Sequence, residues 1–382
     1  MSASLKRTPL YATHQALNGR LIEFGGWEMP VQYTSIIDEH QTVRTAAGIF
    51  DICHMGEVFI SGASALLFLN HLLTNDASKL AVGQGQYTQM SQEDGGTVDD
   101  LYLYRLTDKE YLLIINASRI DADVAWMQKQ LAAFPQQHLL TFENRSDKYG
   151  AIAVQGPKAA EFINDVFPGG SHAGTHVHKV TELHKNQIAT FNLKATGALC
   201  WVARTGYTGE DGFEIVTTAS RILEVWDTLM DAGKTHGLKP AGLGARDTLR
   251  TEVCYPLYGH ELDDKTSPIE AGLGIFVSFE KGPFIGHDAL LAQKTKGPQK
   301  RCVAFKMTDK CAPPRPGYTV WSGEEQVGQV VSGTLSPSLN AGIGLAYVKP
   351  ELAKKETVIQ IDIRGKKFAA QVVGKPIYRK AV

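Results

Sequence analysis

Gln86-Tyr87-Thr88-Gln89-Met90-Ser91, the turn Glu93-Asp94-Gly95-Gly96, and Thr97-Val98-Asp99-Asp100-Leu101-Tyr102-Leu103-Tyr104-Arg105-Leu106 form the stretch on which the fold turns. Runs of good β-formers on both sides of a Gly-Gly turn predict two antiparallel strands, and residues 111–116 supply a third. Away from this hairpin the periodicity becomes helical. Ser35 stands as an N-cap before Ile36-Ile37-Asp38-Glu39, whose acids suit a first turn, and Gly48 sits where that helix would stop, predicting a helix over 36–47. Further helices are expected over 63–73, 119–133, 157–166 with Pro157 at its first position, and 220–232. Strands and helices in this mixture specify an α+β class. After about residue 280 short Val, Ile and Tyr runs broken by Gly, Pro and Asn predict a β-barrel or sandwich. One of its hairpins turns at Arg364-Gly365-Lys366-Lys367, and residues 293–301, rich in Lys, Gly and Pro, read as the linker into it.

At 382 residues the chain exceeds one ordinary hydrophobic core, so two or three domains are expected. Hydrophobic residues at 43% and charged residues at 21% suit a chain that buries a core. Lys and Arg number 39 against 40 Asp and Glu, leaving no positive field for a polyanion, so nucleic acid is not an expected partner. The five cysteines show no CxxC spacing, which argues against a zinc site or a disulfide framework and fits a reducing compartment. The first ten residues lack an apolar h-region and no apolar stretch approaches a membrane span, so a cytoplasmic protein without membrane partners is the expectation. Phosphate-loop, HExxH and GxSxG signatures are absent. Gly242-Leu243-Gly244 lacks the third glycine of a dinucleotide loop and reads as a turn into a helix carrying Arg246. His54 has no second and third ligand beside it in the sequence, and no metal is expected.

Three polar clusters resist explanation as packing. In Gly95 to Leu101 two adjacent acids sit inside a strand, where Asp is normally depleted. Alternation puts Asp99 with Leu101 and Leu103 and puts Asp100 with Val98, Tyr102 and Tyr104, so at most one acid reaches a given site. Spacing does not say which, and both could instead cap local backbone groups. In Arg204-Thr205-Gly206-Tyr207-Thr208-Gly209-Glu210-Asp211-Gly212-Phe213-Glu214 three glycines permit close backbone approach, and Glu214 could accept two parallel hydrogen bonds from an amidine-like edge such as a pterin's. In Ala241 to Asp247, Arg246 lies near a helix start, a costly place for a cation unless an anionic or carbonyl-rich ligand, or an ion pair with Asp247 or Glu252, offsets it.

Taken together with Lys6 to Leu10, Phe24-Gly25-Gly26-Trp27-Glu28-Met29-Pro30, Phe50-Asp51-Ile52-Cys53-His54-Met55-Gly56-Glu57, Val154-Gln155-Gly156-Pro157-Lys158-Ala159 and Lys375-Pro376-Ile377-Tyr378, these segments resemble the aminomethyltransferase T-protein family over essentially the whole chain. The resemblance implies a three-domain, clover-leaf, folate-binding fold with a jelly-roll-like C-terminal β-barrel. Its domains would be residues 1–50 with 140–275 as a discontinuous first, 51–139 as an antiparallel-sheet second with helices, and 280–382 as the barrel. It selects the second acid of the pair, Asp100, as catalytic, and Glu214 as pterin anchor. Arg246, Tyr378, Tyr87, Asn116, Tyr207 and Met55 would be further folate contacts. The implied reaction is a tetrahydrofolate-dependent aminomethyl transfer of glycine cleavage. The aminomethyl group is carried on the dihydrolipoyl arm of a lipoylated H-protein, and the products are 5,10-methylenetetrahydrofolate, ammonia and dihydrolipoyl H-protein.

Two rival readings use the same fold. One is a folate-dependent demethylase of a sulfonium or methylated amine, against which the acid at Asp100 speaks. The other is a non-enzymatic folate-binding factor for iron–sulfur assembly, marked by a Lys-Gly-Cys-aromatic-x-Gly-Gln-Glu run. Cys254-Tyr255-Pro256-Leu257-Tyr258-Gly259-His260-Glu261 lacks its Lys-Gly and its Cys-to-Gly spacing, and reads as the end of a helix and a tight turn.

Overall fold

The computed structural model describes residues 4–380, so the N-terminal reading above rests in part on residues 1–3, outside the described residues. By contact density the chain forms two compact units, Met1–Thr88 with Leu101–Arg246, and Gln89–Asp100 with Asp247–Val382.

The first unit contains a six-stranded sheet in the order Ile188–Asn192, Leu199–Ala203, Gly212–Thr218, Tyr149–Gln155, Ala47–Asp51, Leu238–Pro240. Its pairings are antiparallel except the last, which is parallel. One face is packed by the amphipathic helices Ala159–Val166 and Ile222–Gly233, which bury Phe162, Ile163, Val166, Val225, Trp226 and Leu229 against Ile49, Val154, Val202, Phe213 and Ile215. The other face meets a five-stranded sheet, ordered Gly85–Ser91, Thr97–Arg105, Glu110–Ile115, Gly56–Gly62, Leu140–Asn144. There Ile188 and Ala203 pack on Phe59, Tyr104 and Leu112. The three strands expected over 86–116 are the first three of this sheet.

Helix Ile36–Thr45 begins as expected, Ser35 Oγ accepting from the Asp38 amide at 3.1 Å. Gly48 is not its stop. It lies inside strand Ala47–Asp51, where a Cβ would meet Val43 Cγ2 at 2.5 Å, so close approach of helix and strand requires the glycine. Helices Ala65–Leu72, Ile120–Ala133 and Ile222–Gly233 stand where periodicity put them. Pro157 lies outside helix Ala159–Val166, for which Lys158 is the N-cap residue.

In the second unit a closed barrel runs Arg301–Met307, Ala341–Val348, Glu325–Ser336, Thr319–Ser322, Val358–Ile363, Lys366–Val373, around Val303, Phe305, Val330, Ile359, Ile361 and Val372. The last hairpin turns on Arg364 and Gly365, both with positive φ (57° and 84°), and the strand resumes at Lys366. Residues 293–296 are not linker. They finish helix His287–Lys296, whose Asp288 and whose Lys294 and Lys296 complement the helix dipole at its two ends. Beside the barrel, Arg250 is fully covered, donating to Asp247 Oδ1 (2.9 Å), Glu261 Oε2 (3.0 Å) and Ser332 Oγ (2.8 Å).

Candidate functional site

Direct pairing across the six-stranded sheet aligns Phe50, Ala153, Glu214 and Ala203 in one row. Opposed residues share a face, and their neighbours Ile49, Val154, Phe213 and Val202 fill the helix-covered core, so Glu214 points to the opposite face. The loop before it is held from several sides. Arg204 grips Asp211 through Nε and Nη2 (2.9 and 2.6 Å) and donates from Nη1 to the carbonyls of Thr181 and Leu183. Arg44 Nη1 donates to the Thr208 carbonyl at 2.7 Å and to Glu210 Oε1 at 3.1 Å. Gln155 Nε2 donates to the Thr205 carbonyl at 3.0 Å, and a Cβ on Gly206 would meet Gln155 Oε1 at 1.8 Å, so a side chain there would push the Gln155 amide off its bonds to Thr205 and Thr208.

The result is a fixed carboxylate. Thr205 Oγ1 donates to Glu214 Oε2 at 2.6 Å, and its single proton is then committed, so its 2.9 Å contact with Tyr104 is one in which the phenol donates. Burial first, and the charge on Glu214 second, push the Tyr104 hydroxyl well above its ordinary range and keep it a donor. Tyr104 and Thr205 were not singled out as ligand-site residues by sequence. The available signal was that Tyr104 shares the Asp100 side of its strand.

Arg246 lies in helix Leu243–Glu252 with its Cζ 4.7 Å from the Tyr207 ring centroid. Burial lowers its affinity for a proton, while Glu214 and Tyr207 oppose that shift, and its Nη1 is closed off from solvent without a hydrogen-bond partner. The segment leading out of strand Ala47–Asp51 is drier still. Asp51 is the buried ion of that segment: burial would raise its pKa, but His14 Nε2 (2.8 Å), the Thr8 hydroxyl (2.6 Å) and the Cys53 amide (2.8 Å) bring it below the usual carboxylate value.

Glu57, in the same segment, is fully buried and neither carboxyl oxygen has a hydrogen-bond partner. Burial alone drives its pKa well above the ordinary 4.5. A raised folded-state pKa means that its contribution to stability is fully present below about 4.5 and is lost as pH rises toward the folded value. We therefore expect Glu57→Gln to gain stability relative to the parent between pH 5 and pH 8, by about 1–3 kcal/mol. Denaturant titrations at both pH values check this, and parallel pH profiles for the two chains would contradict it.

In the second unit Asp99 and Asp100 are both buried, at 0% and 9% exposure, within strand Thr97–Arg105. The strand's first residue is clamped: the Thr97 amide donates to the carbonyls of Asp263 and Thr266, its hydroxyl donates to Thr266 O at 2.7 Å, and Tyr258 donates to its carbonyl at 3.3 Å. Asp100 follows three residues after this clamp. Tyr378 and Ile377 donate their amides to the Glu252 carbonyl at 2.9 and 3.0 Å, while Glu252 is itself held by the hydroxyls of Ser336 and Ser338.

Residues 10–281 match the family model described as GCVT N-terminal domain, and residues 300–379 match the glycine cleavage T-protein C-terminal barrel domain. Over 381 residues the chain is 44% identical to the aminomethyltransferase of Caldanaerobacter subterraneus subsp. tengcongensis, covering 99% of this chain and 97% of that one. The chain belongs to the glycine cleavage T-protein aminomethyltransferase family. It is also 45% identical over 378 residues to the aminomethyltransferase of Bacillus pumilus, covering 99% of this chain and all of that one. The crystal structure of glycine cleavage system aminomethyltransferase T from Bartonella henselae matches with a TM-score of 0.88 and 32% identity over 98% of each chain.

Membership in the aminomethyltransferase family makes the chain an enzyme of one-carbon transfer and accounts for its α+β class with a C-terminal closed barrel. Of the residues selected by resemblance, Glu214, Arg246, Tyr207, Tyr87, Asn116 and Met55 belong to the first unit and Asp100 and Tyr378 to the second. Tyr87, Asn116, Tyr207, Met55 and Tyr378 are all half-buried. Asn116 follows strand Glu110–Ile115 and its carbonyl accepts from the Arg119 amide, and the Tyr87 carbonyl accepts from Asn75 Nδ2 at 2.9 Å. Cys254 of the discarded iron–sulfur run is half-buried at positive φ (62°) against the apolar cluster of Cys302 and Leu345. Among the described residues no cluster of three His, Cys, Asp or Glu side chains is arranged to hold a metal, and no helix is long and apolar enough to cross a membrane.

Proposed function

We propose that this enzyme transfers the methylene carbon of an aminomethyl-dihydrolipoyl H-protein to tetrahydrofolate, yielding 5,10-methylenetetrahydrofolate, ammonia and dihydrolipoyl H-protein, and that it acts in the cytoplasm. The observation that carries the folate part is the Glu214 carboxylate. Thr205 holds one of its oxygens and Tyr104 stands behind Thr205, so the anchor is aimed before any ligand arrives. A pterin edge offers an amine and a ring N–H, which are donors, and a carboxylate is the acceptor-only group that complements them. Arg246, a guanidinium whose hydrogen bonding is incomplete, adds donors that match a ring carbonyl or an anionic substituent. The residues present therefore fit the ligand. Tyr207, Tyr87, Asn116, Met55 and Tyr378 are assigned as its further contacts.

Bound tetrahydrofolate supplies the nitrogen nucleophile that accepts the carbon. The chain's own residues position, exclude water and manage charge. Asp100 is assigned as the catalytic carboxylate that stabilises the cationic aminomethyl group and assists proton transfer. In support, it is a nearly buried acid on a clamped strand, and alternation puts it on the side of that strand that carries Tyr104. The same reading keeps three domains, residues 1–50 with 140–275, 51–139, and 280–382, with strand Leu140–Asn144 reaching across to pair with Gly56–Gly62. The test is incubation with tetrahydrofolate and an aminomethyl-loaded H-protein, following methylenetetrahydrofolate and ammonia. Equimolar formation of both is expected, and absence of either product would refute the assignment.

A further inference from the structure

Among the polar atoms of the first unit that are shut away from water without a hydrogen-bond partner are Nδ1 of His54 and Nη1 of Arg246. A neutral imidazole nitrogen can accept, whereas a guanidinium can only donate. The backbone directs both toward the same end of one sheet. Strands Ala47–Asp51 and Leu238–Pro240 are parallel neighbours, so the segments that follow them leave the same end of the sheet, one carrying His54 and the other Arg246. The charge of Arg246 is felt at the imidazole. The ring is held edge-on by Phe24, with centroids 5.8 Å apart and planes at 84°. Phe24 is itself set by the two-residue turn Gly25-Gly26, in which both φ values are positive (57° and 85°) and which joins strands Arg20–Phe24 and Trp27–Gln32.

A buried donor or acceptor left without a partner is costly, and two of complementary type in one neighbourhood call for an account. We propose that His54 is a positioning residue for Arg246: Nδ1 accepts from Nη1 when a ligand draws the guanidinium from the Tyr207 ring, fixing the cation that faces that ligand. The remaining guanidinium N–H groups are then left for the ligand itself. The device rests on the folate reading of Glu214 and Arg246. It needs an uncharged ring, since an imidazolium would repel the guanidinium. Burial, with Arg246 assisting and Asp51 opposing, brings His54 down to about 4.

The test measures tetrahydrofolate binding by calorimetry for the parent chain and four variants, with a thermal melt of each to establish folding. His54→Asn keeps an acceptor near the Nδ1 position and is expected to bind within about threefold of the parent. His54→Phe fills the same space without an acceptor and is expected to bind about tenfold more weakly. His54→Gln, whose acceptor sits at the other ring nitrogen's position, should resemble the Phe variant and serves in its place if that variant does not fold. In an Arg246→Met background, His54→Phe should add less than about twofold, because the residue acts through the guanidinium. Parent-like binding by His54→Phe or His54→Gln, an Asn variant as weak as the Phe variant, or an undiminished His54→Phe effect without Arg246 would each overturn the proposal. If the parent chain itself does not bind tetrahydrofolate, the folate reading falls, and the positioning role falls with it.

Discussion

Asp100→Asn is expected to lower turnover with aminomethyl-loaded H-protein and tetrahydrofolate by about 100-fold or more, with tetrahydrofolate affinity changed by only a few-fold. The amide has the carboxylate's shape but neither its charge nor its ability to take a proton. The reacting group is cationic, so the loss falls on the transition state rather than on folate binding. Geometry should survive. Asp100 lies in a strand whose first residue is tied to Asp263, Thr266 and Tyr258, none of which the substitution touches. Asp99 provides the contrast: it is fully buried on the opposite side of the strand, so Asp99→Asn should alter the melting temperature more than the ratio of turnover to binding. Steady-state kinetics with parallel calorimetry separates the two. Near-parental turnover in Asp100→Asn would withdraw Asp100 from the chemistry.

Glu214→Ala should weaken tetrahydrofolate binding by about 100-fold, ~2.7 kcal/mol, which is the scale for losing charge-assisted hydrogen bonds from a paired acceptor. Three groups lose a partner at once. The Thr205 hydroxyl no longer has its 2.6 Å acceptor, the Tyr104–Thr205 contact loses its direction, and Arg246 loses the negative charge that offsets its burial. Glu214→Gln keeps an acceptor for Thr205 but presents one carbonyl and one amine to a ligand edge made of donors, so it should fall between the parent and the alanine variant. Fluorescence or calorimetric titration gives the order. A Gln variant that binds like the parent would show that no donor edge is read at this position.

Local chemistry made much of this protein legible before folding. Ser35 ahead of two acids is a helix-start signal, and Arg364-Gly365 can reverse a hairpin because the glycine takes positive φ freely. Strand alternation separates Asp99 from Asp100 because side chains repeat every two residues, a rule that needs no tertiary contact. Family resemblance, rather than spacing, chose between those two acids.

What sequence alone could not supply depends on atoms far apart in the chain. Gly48 looks like a helix stop until Val43 packs 2.5 Å from where its Cβ would be, and Gly206 looks like loop flexibility until Gln155 fills that space. Lys294 and Lys296 read as linker because charge carries no period of its own, and only the helix around them shows that they sit at its C-terminal end. The tie from Tyr104 through Thr205 to Glu214 joins one strand of each sheet through a loop residue, and burial is what raises the pKa of Glu57 and lowers that of His54. Periodicity and turn chemistry act over a few residues and are written in the chain itself. Close approach, dehydration and the aiming of a carboxylate are sums over neighbours that exist only once the sheets have packed.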